Sequence, residues 1–223
     1  MNAHQKRIDE RKNLIRAWLN SEIRPKLPKG VVLNTKFYHP SYSLLFSTNT
    51  NKLIGHINVN IPTNTSTASL TLGRTEPNFR DRVGWGTFMR ALGTKIALLN
   101  KSIKKVKHMG KNMESLAAIN MVRYTGLPPS LITNIYFTNK SNEEIVKLYN
   151  NKNVPNNKKV TLNKVKLIKA EYRPISTKIV RKLGFEPRLT KNRNEFISVF
   201  SRGNKERLLN NAIQKFLVAG RIQ

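Results

Sequence analysis

The segment Arg74-Thr-Glu-Pro-Asn-Phe-Arg-Asp-Arg-Val-Gly-Trp-Gly-Thr-Phe-Met-Arg-Ala-Leu92 joins two kinds of periodicity. Before it, Ala68-Ser-Leu-Thr-Leu72 alternates apolar and hydroxyl residues, the period of a half-buried strand. After it, Phe88, Leu92, Ile96, Leu99 and Ile103 recur every three or four positions, which predicts a helix over 86–103 that packs one face on a sheet. Between them lie Gly84 and Gly86, which let the backbone turn tightly and come close to a ligand. The order strand, glycine turn, helix aims the free N–H groups of a helix N-terminus at one point, a ready site for an anion.

Working outward, residues 3–24 read as an amphipathic helix, with Ile8, Ile15, Trp18, Leu19 and Ile23 on one face and Lys6, Arg7, Arg11, Lys12 and Arg16 elsewhere, stopped by Pro25. Strands are expected at Val31-Val-Leu33, Tyr42–Phe46, Leu53–Ile61 and Ala68–Leu72, joined by polar turns into antiparallel hairpins. A short strand follows at Lys104–Met109, then a helix over 112–127 closed by Gly126. Strands are also expected at Leu131–Phe137 and Val160–Ile168. A short capped helix is expected over Asn142–Tyr149 and a mobile Asn/Lys-rich loop over 150–159. The final elements are a strand at Phe196–Phe200 and a helix after Gly203, with Asn204 as a cap and Leu208, Leu209, Ala212, Ile213, Phe216 and Leu217 as its apolar stripe.

Charge is the compositional outlier: 41 Lys plus Arg stand against 12 Asp plus Glu, a formal net charge of +29 over 223 residues. Self-repulsion on that scale calls for a polyanion, and nucleic acid is the expected partner, bound through phosphates with little sequence selectivity. The densest basic patch is Lys101, Lys104, Lys105, Lys107 and Lys111, with only His108 beside it for stacking. The absence of Cys excludes disulfides and thiolate chemistry, and four scattered histidines offer no metal-ligand spacing, so no metal is expected. No apolar run reaches the length of a membrane span and no signal peptide is visible. The expected location is intracellular, in the cytoplasm or inside a nucleic-acid-containing particle, not secreted.

Pro77-Asn-Phe-Arg-Asp-Arg82 followed by Gly84-Trp-Gly-Thr87 resembles the coenzyme-binding signature of the GNAT acetyltransferase superfamily. A second resemblance lies in the helix and Leu183-Gly-Phe185 ending of residues 174–187, followed by the strand at 196–200. The resemblance implies an α+β fold, a GNAT-like mostly antiparallel central sheet flanked by helices, with N- and C-terminal helical extensions. Its parts would be a basic helix and linker over 1–30, a GNAT-like domain over 31–202 with an insertion at about 128–170, and a C-terminal helix over 203–223, the terminal helices being candidate assembly elements. It implies acetyl-CoA as cofactor, cradled by Arg80, Arg82, Val83, Gly84, Trp85, Gly86 and Thr87, and transfer of its acetyl group to an amine. Glu76, the nearest carboxylate to the expected acetyl position, is the candidate base.

Two departures separate the chain from that pattern. Asp81 occupies the place of the family's basic residue unless Val83 is a one-residue insertion, and Val180 stands where active members carry a general-acid Tyr. In the helix over 112–127, which has the same spacing, Val122 takes that place. The alternatives are a catalytically degenerate GNAT-fold protein serving as a nucleic-acid-binding component of a ribonucleoprotein or virus particle, and an unrelated α+β nucleic-acid binder.

Overall fold

The computed structural model describes residues 3–76, 84–109, 112–150, 159–172, 180–189, 196–203 and 205–219. The chain divides into two units: Met1–His108 with Lys182–Gly184 and Phe200–Gln223, and Met109–Arg181 with Phe185–Val199. Strand β7 (Phe196–Ser201) is shared between them, its last two residues belonging to the first.

In the first unit, α1 (Ala3–Trp18) widens into a π turn, Leu19–Ile23, and then tightens into a 3₁₀ turn, Arg24–Lys26, that holds Pro25. Its buried side chains are Ile8, Ile15, Leu19 and Ile23, the expected stripe, while Trp18 is half-buried. Arg11 of α1 donates through Nη1 to the Ile61 carbonyl (2.9 Å), and the Arg16 guanidinium lies over the Phe37 ring.

Strands β1 (Val31–Tyr38), β2 (Ser41–Thr48), β3 (Leu53–Asn60) and β4 (Thr67–Thr75) form an antiparallel meander, and β5 (Lys105–Met109) pairs with β4 in parallel. The strand order is β1-β2-β3-β4-β5-β7-β6, with β6 being Glu186–Leu189. The α+β architecture expected from the sequence, a mostly antiparallel sheet flanked by helices, is the one found.

Because strand side chains alternate, the register sorts the meander into two faces. Leu33, Leu44, Phe46, Ile57, Val59, Leu70 and Val106 share the inner face and are all buried. The outer face carries three rows, Tyr38–Ser41–Asn60–Ser69–Lys107, Lys36–Ser43–Asn58–Thr71 and Asn34–Leu45–His56, each residue paired across from the next.

Against the inner face lies α2 (Trp85–Leu99), covered in turn by α7 (Glu206–Ala219). Helix α2 is therefore buried nearly all round, as its apolar composition requires. Gly93 makes the close approach possible: a Cβ built there would fall 2.5 Å from Leu70 Cδ1 and 2.8 Å from Ile57 Cδ1. Phe216 of α7 stacks on Phe88 (centroids 4.1 Å) and packs against Trp85 (4.5 Å), while Phe46 closes the cluster from β2. The C-terminal stripe is thus core.

The predicted helix over 86–103 ends earlier, at Leu99. Asn100 is extended, its Oδ1 accepts from the Ser102 N–H (3.2 Å), and this Asx-type turn redirects the chain. Ile103 lies past the turn yet stays fully buried. Arg202 ties the turn to the end of β7, donating to the carbonyls of Ile103, Leu98 and Asn100, while its own N–H reaches the Lys104 carbonyl (2.9 Å).

In the second unit, α3 (Asn112–Thr125) stops at Gly126, whose φ of 68° is the left-handed end expected of that residue. Two predicted strands are helices. Leu131–Phe137 lies in α4 (Pro129–Phe137), because Pro129 starts the helix at its first position and Ile132 and Ile135 then fall on one buried face. Val160–Ile168 lies largely in α6 (Leu162–Glu171): Thr161 caps the Lys164 N–H, and Val165, Ile168 and Tyr172 follow in helical steps into the same core. The local β preference of both segments yields to that core.

The short helix α5 (Asn142–Tyr149) carries a capping box, Ser141 with Glu144. The Ser141 contacts hold the Glu144 carboxyl below its usual pKa. Asn150 bonds both the N–H and the carbonyl of Val160 (2.8 and 2.6 Å), pinning the base of the expected loop, most of which (151–158) is outside the described residues, as are 173–179 and Asn204. No helix among the described residues is long and apolar enough to cross a membrane.

Candidate anion site at the start of α2

Gly84 takes φ 70°, the left-handed region that favours glycine, and is exposed with no heavy atom within 4 Å of a built Cβ. The Phe88 N–H donates to its carbonyl (2.9 Å), the first bond of the helix. The N–H groups of Trp85, Gly86 and Thr87 therefore precede the intrahelical ladder, and Gly84 at the cap position has no side chain to bond them. The Trp85 ring is buried among Phe46, Phe88 and Phe216, so this residue offers its amide while its side chain anchors the turn. Gly86 and Thr87 are half-buried. Arg80, Arg82 and Val83 lie outside the described residues, as does Lys111.

Beneath the turn sits a buried polar pair that the sequence reading passed over. Arg90, 5% exposed, donates through Nη1 to the Gly86 carbonyl (3.0 Å) and through Nε to His108 Nε2 (3.2 Å). A Cβ on Gly86 would lie 3.0 Å from Arg90 Nη1, so glycine gives the guanidinium room. Thr94 Oγ1 in turn donates to the Arg90 carbonyl (2.7 Å).

Since His108 accepts at Nε2, its ring proton is on Nδ1 and the ring is neutral. Burial, then the adjacent guanidinium, push its pKa down to about 3. His108 is thus unavailable for stacking on bases, contrary to its place beside the predicted basic patch. The alternation of β5 carries the signal: His108 shares a face with Val106, opposite Lys105 and Lys107.

The sheet is irregular beside this end of α2. Between Gly55↔Thr75 and Ile57↔Leu72, β3 advances two residues while β4 advances three, which puts a bulge in β4. The described ladder of β4 with β5 closes at Leu70↔His108, whereas β4 runs on beside β3 to Thr75. Glu76 follows, half-buried, its N–H bonded to the Ile54 carbonyl (3.0 Å). The bulge in β4 and the glycine start of α2 thus flank the β4–α2 connection.

The described lysines of the basic patch, Lys101, Lys104, Lys105 and Lys107, are all exposed. Lys105 and Lys107 share the outer sheet face, Lys104 starts the strand with its N–H on the Ser66 carbonyl (2.8 Å), and Lys101 sits in the turn after α2. Among the described residues no cluster of His, Asp or Glu could hold a metal ion.

No protein-family model and no curated protein matches the chain. Among solved structures it is similar to nourseothricin acetyltransferase, at 13% identity and a TM-score of 0.30, over 44% of this chain and 74% of that one. It is also similar to Tetrahymena GCN5, at 19% identity and a TM-score of 0.29, over 51% of this chain and 66% of that one. Likeness at this level carries neither ligand nor reaction from those proteins to this one.

Proposed function

We propose that the first unit binds acetyl-CoA and transfers its acetyl group to an amine. The observation that carries this reading is the N-terminus of α2, with left-handed Gly84 at its cap position, beside a bulged β4. The amides of Trp85, Gly86 and Thr87 would hold the pyrophosphate, whose charge suits both the free N–H groups and the helix dipole. Arg80 and Arg82 precede them in sequence as further cationic groups. Acetyl-CoA supplies an acetyl thioester. On the protein side, Glu76 at the end of β4 would take the proton that the acceptor ammonium must lose for its nitrogen to receive the acetyl group, with the C–S bond broken and the coenzyme released as its thiol. A chain with formal charge +29 repels basic acceptors, which favours an amine held on an acidic or nucleic-acid-bound partner.

A second reading rests on Val180, which is buried and has no proton to donate where the resembled family carries Tyr. In that reading the coenzyme binds without turnover and the protein is a structural, nucleic-acid-binding component.

Calorimetry with acetyl-CoA on the parent, Gly84→Asn and Gly84→Asp separates these outcomes. Both substitutions place a side chain at the same left-handed position, but only Asp sets a carboxylate before the helix end, so binding survives Asn and is lost with Asp. No heat with the parent removes the coenzyme reading altogether. Heat accompanied by free-thiol release across a panel of primary amines supports the transferase; heat without it supports the degenerate protein.

A further inference from the structure

Among the described residues, the helix of this unit that packs on the meander is α2, on the inner face, and the outer face is mostly polar. Between Glu22 and Glu76 the chain has no Asp or Glu, so all four strands of the meander and every turn between them lack a carboxylate. A second acid-free run, Arg82–Met113, includes β5. What the face carries is chiefly hydroxyl, amide and cation, with Val32, Leu45 and His56 beyond the two polar rows. Lys36 stands on the edge strand, Lys105 and Lys107 on the fifth, and Ser41 and Asn60 lie in the row between Tyr38 and Lys107. These three lysines are exposed and make no ion pair among the described residues. Tyr38, 73% exposed, is the large aromatic side chain of this surface.

From this composition we infer that the outer face of the β1–β5 sheet is a binding surface for single-stranded nucleic acid. Five strands at about 4.8 Å spacing make a platform about 19 Å wide, too broad and flat to enter a duplex groove, which admits a helix or a two-stranded ribbon. A single strand can lie across it. Ser43 already donates to Asn58 Oδ1 (2.6 Å), so the strand's base edges meet the other polar groups of the rows, its phosphates meet the lysines at the two sides, and one base stacks on Tyr38. An acidic protein would satisfy the lysines too, but would leave the exposed Tyr38 ring without a particular role. The surface lies on the side of the sheet opposite α2 and does not depend on the coenzyme reading.

The test is anisotropy with mixed-sequence RNA and DNA single strands of about 20 nucleotides, and a duplex of the same composition, from about 50 to 300 mM salt. The parent is compared with Lys36→Gln/Lys105→Gln/Lys107→Gln and with Lys140→Gln/Lys147→Gln/Lys166→Gln, which removes the same charge from exposed sites of the second unit. The face variant is expected to lose about tenfold in single-strand affinity at low salt and to flatten the log–log salt slope by about 2, at about 0.7 per phosphate contact, while the control stays within about twofold. Tyr38→Ala is expected to weaken single-strand binding without changing that slope. Equal losses in both triple variants would show a diffuse cationic effect and overturn the inference. So would duplex binding as tight as single-strand binding and equally dependent on the face. Acetyl-CoA heats unchanged in the face variant would keep failure here separate from failure of the coenzyme site.

Discussion

The two sides of the β1–β5 sheet are made from the same strands, residue by alternate residue, and share almost no chemistry. One side presents Leu, Ile, Val and aromatic groups to α2, and through α2 to α7, with Arg90 and His108 as a bonded polar pair inside. The other presents chiefly Ser, Thr, Asn and Lys, with a few apolar and aromatic side chains and no acid among them. Packing explains the first side completely, since buried apolar area stabilises the fold whatever the ligand. It does not explain the second. A solvated face needs polarity but has no need to exclude carboxylates, and that selectivity is what points to a partner.

The contrast can be broken from the packed side first. Phe216→Ala removes a ring stacked on Phe88 and braced by Trp85, and is expected to cost about 3 to 5 kcal/mol by chemical denaturation. Because Trp85 is the first residue of α2, the same variant should loosen acetyl-CoA binding, although Phe216 is 130 residues further along the chain than Gly86. A loss under about 1 kcal/mol would show that α7 is an appendage and not core.

Acid is the next probe. His108 has a folded pKa of about 3 against 6.5 in an unfolded chain, so below pH 6.5 the unfolded state takes up a proton that the folded ring refuses. Its contribution is intact above pH 6.5 and declines as pH falls toward 3, by about 1.4 kcal/mol per pH unit. His108→Gln keeps an acceptor for Arg90 but cannot titrate, so its unfolding midpoint should fall less steeply between about pH 6.5 and 4. Parallel curves for parent and variant would mean that His108 is not buried as a neutral ring.

Gly93→Ala is a finer test. Alanine gains about 1 kcal/mol in helix preference over glycine, yet its methyl would meet Leu70 and Ile57 too closely, at about 1 to 3 kcal/mol. A net loss of about 1 kcal/mol is expected; a net gain would show that α2 stands further from the sheet. Smallest should be the open side. Lys36→Gln/Lys105→Gln/Lys107→Gln is expected to leave stability within about 0.5 kcal/mol, as exposed lysines without ion partners contribute little to the fold.

Much of the first unit was legible because its patterns are local. The strand alternation of β2 to β4, the stripe of α1 and the glycines that open α2 each depend on residues within a few positions of one another. Helices α4 and α6 were not. Leu131-Ile-Thr-Asn-Ile-Tyr-Phe137 and Val165-Lys-Leu-Ile168 are rich in β-favouring residues, and only their shared core with Leu127, Ile145 and Tyr172 selects the helical state. At the candidate site the glycine turn could be read directly, whereas the Arg90–His108 pair joins residues 18 apart that carry no local motif.

By itself the sequence determined the polarity of each strand face, the start of α2, the glycine ends of the helices and the great excess of cations, because periodicity, backbone freedom and charge are properties of neighbouring residues. The tertiary structure alone decided that Trp85 anchors instead of binds, that His108 is a neutral core group, that α7 closes the core and that the acid-free rows lie together on one surface. Each of those outcomes depends on which distant segments meet, and burial and pairing across such distances set both conformation and charge state.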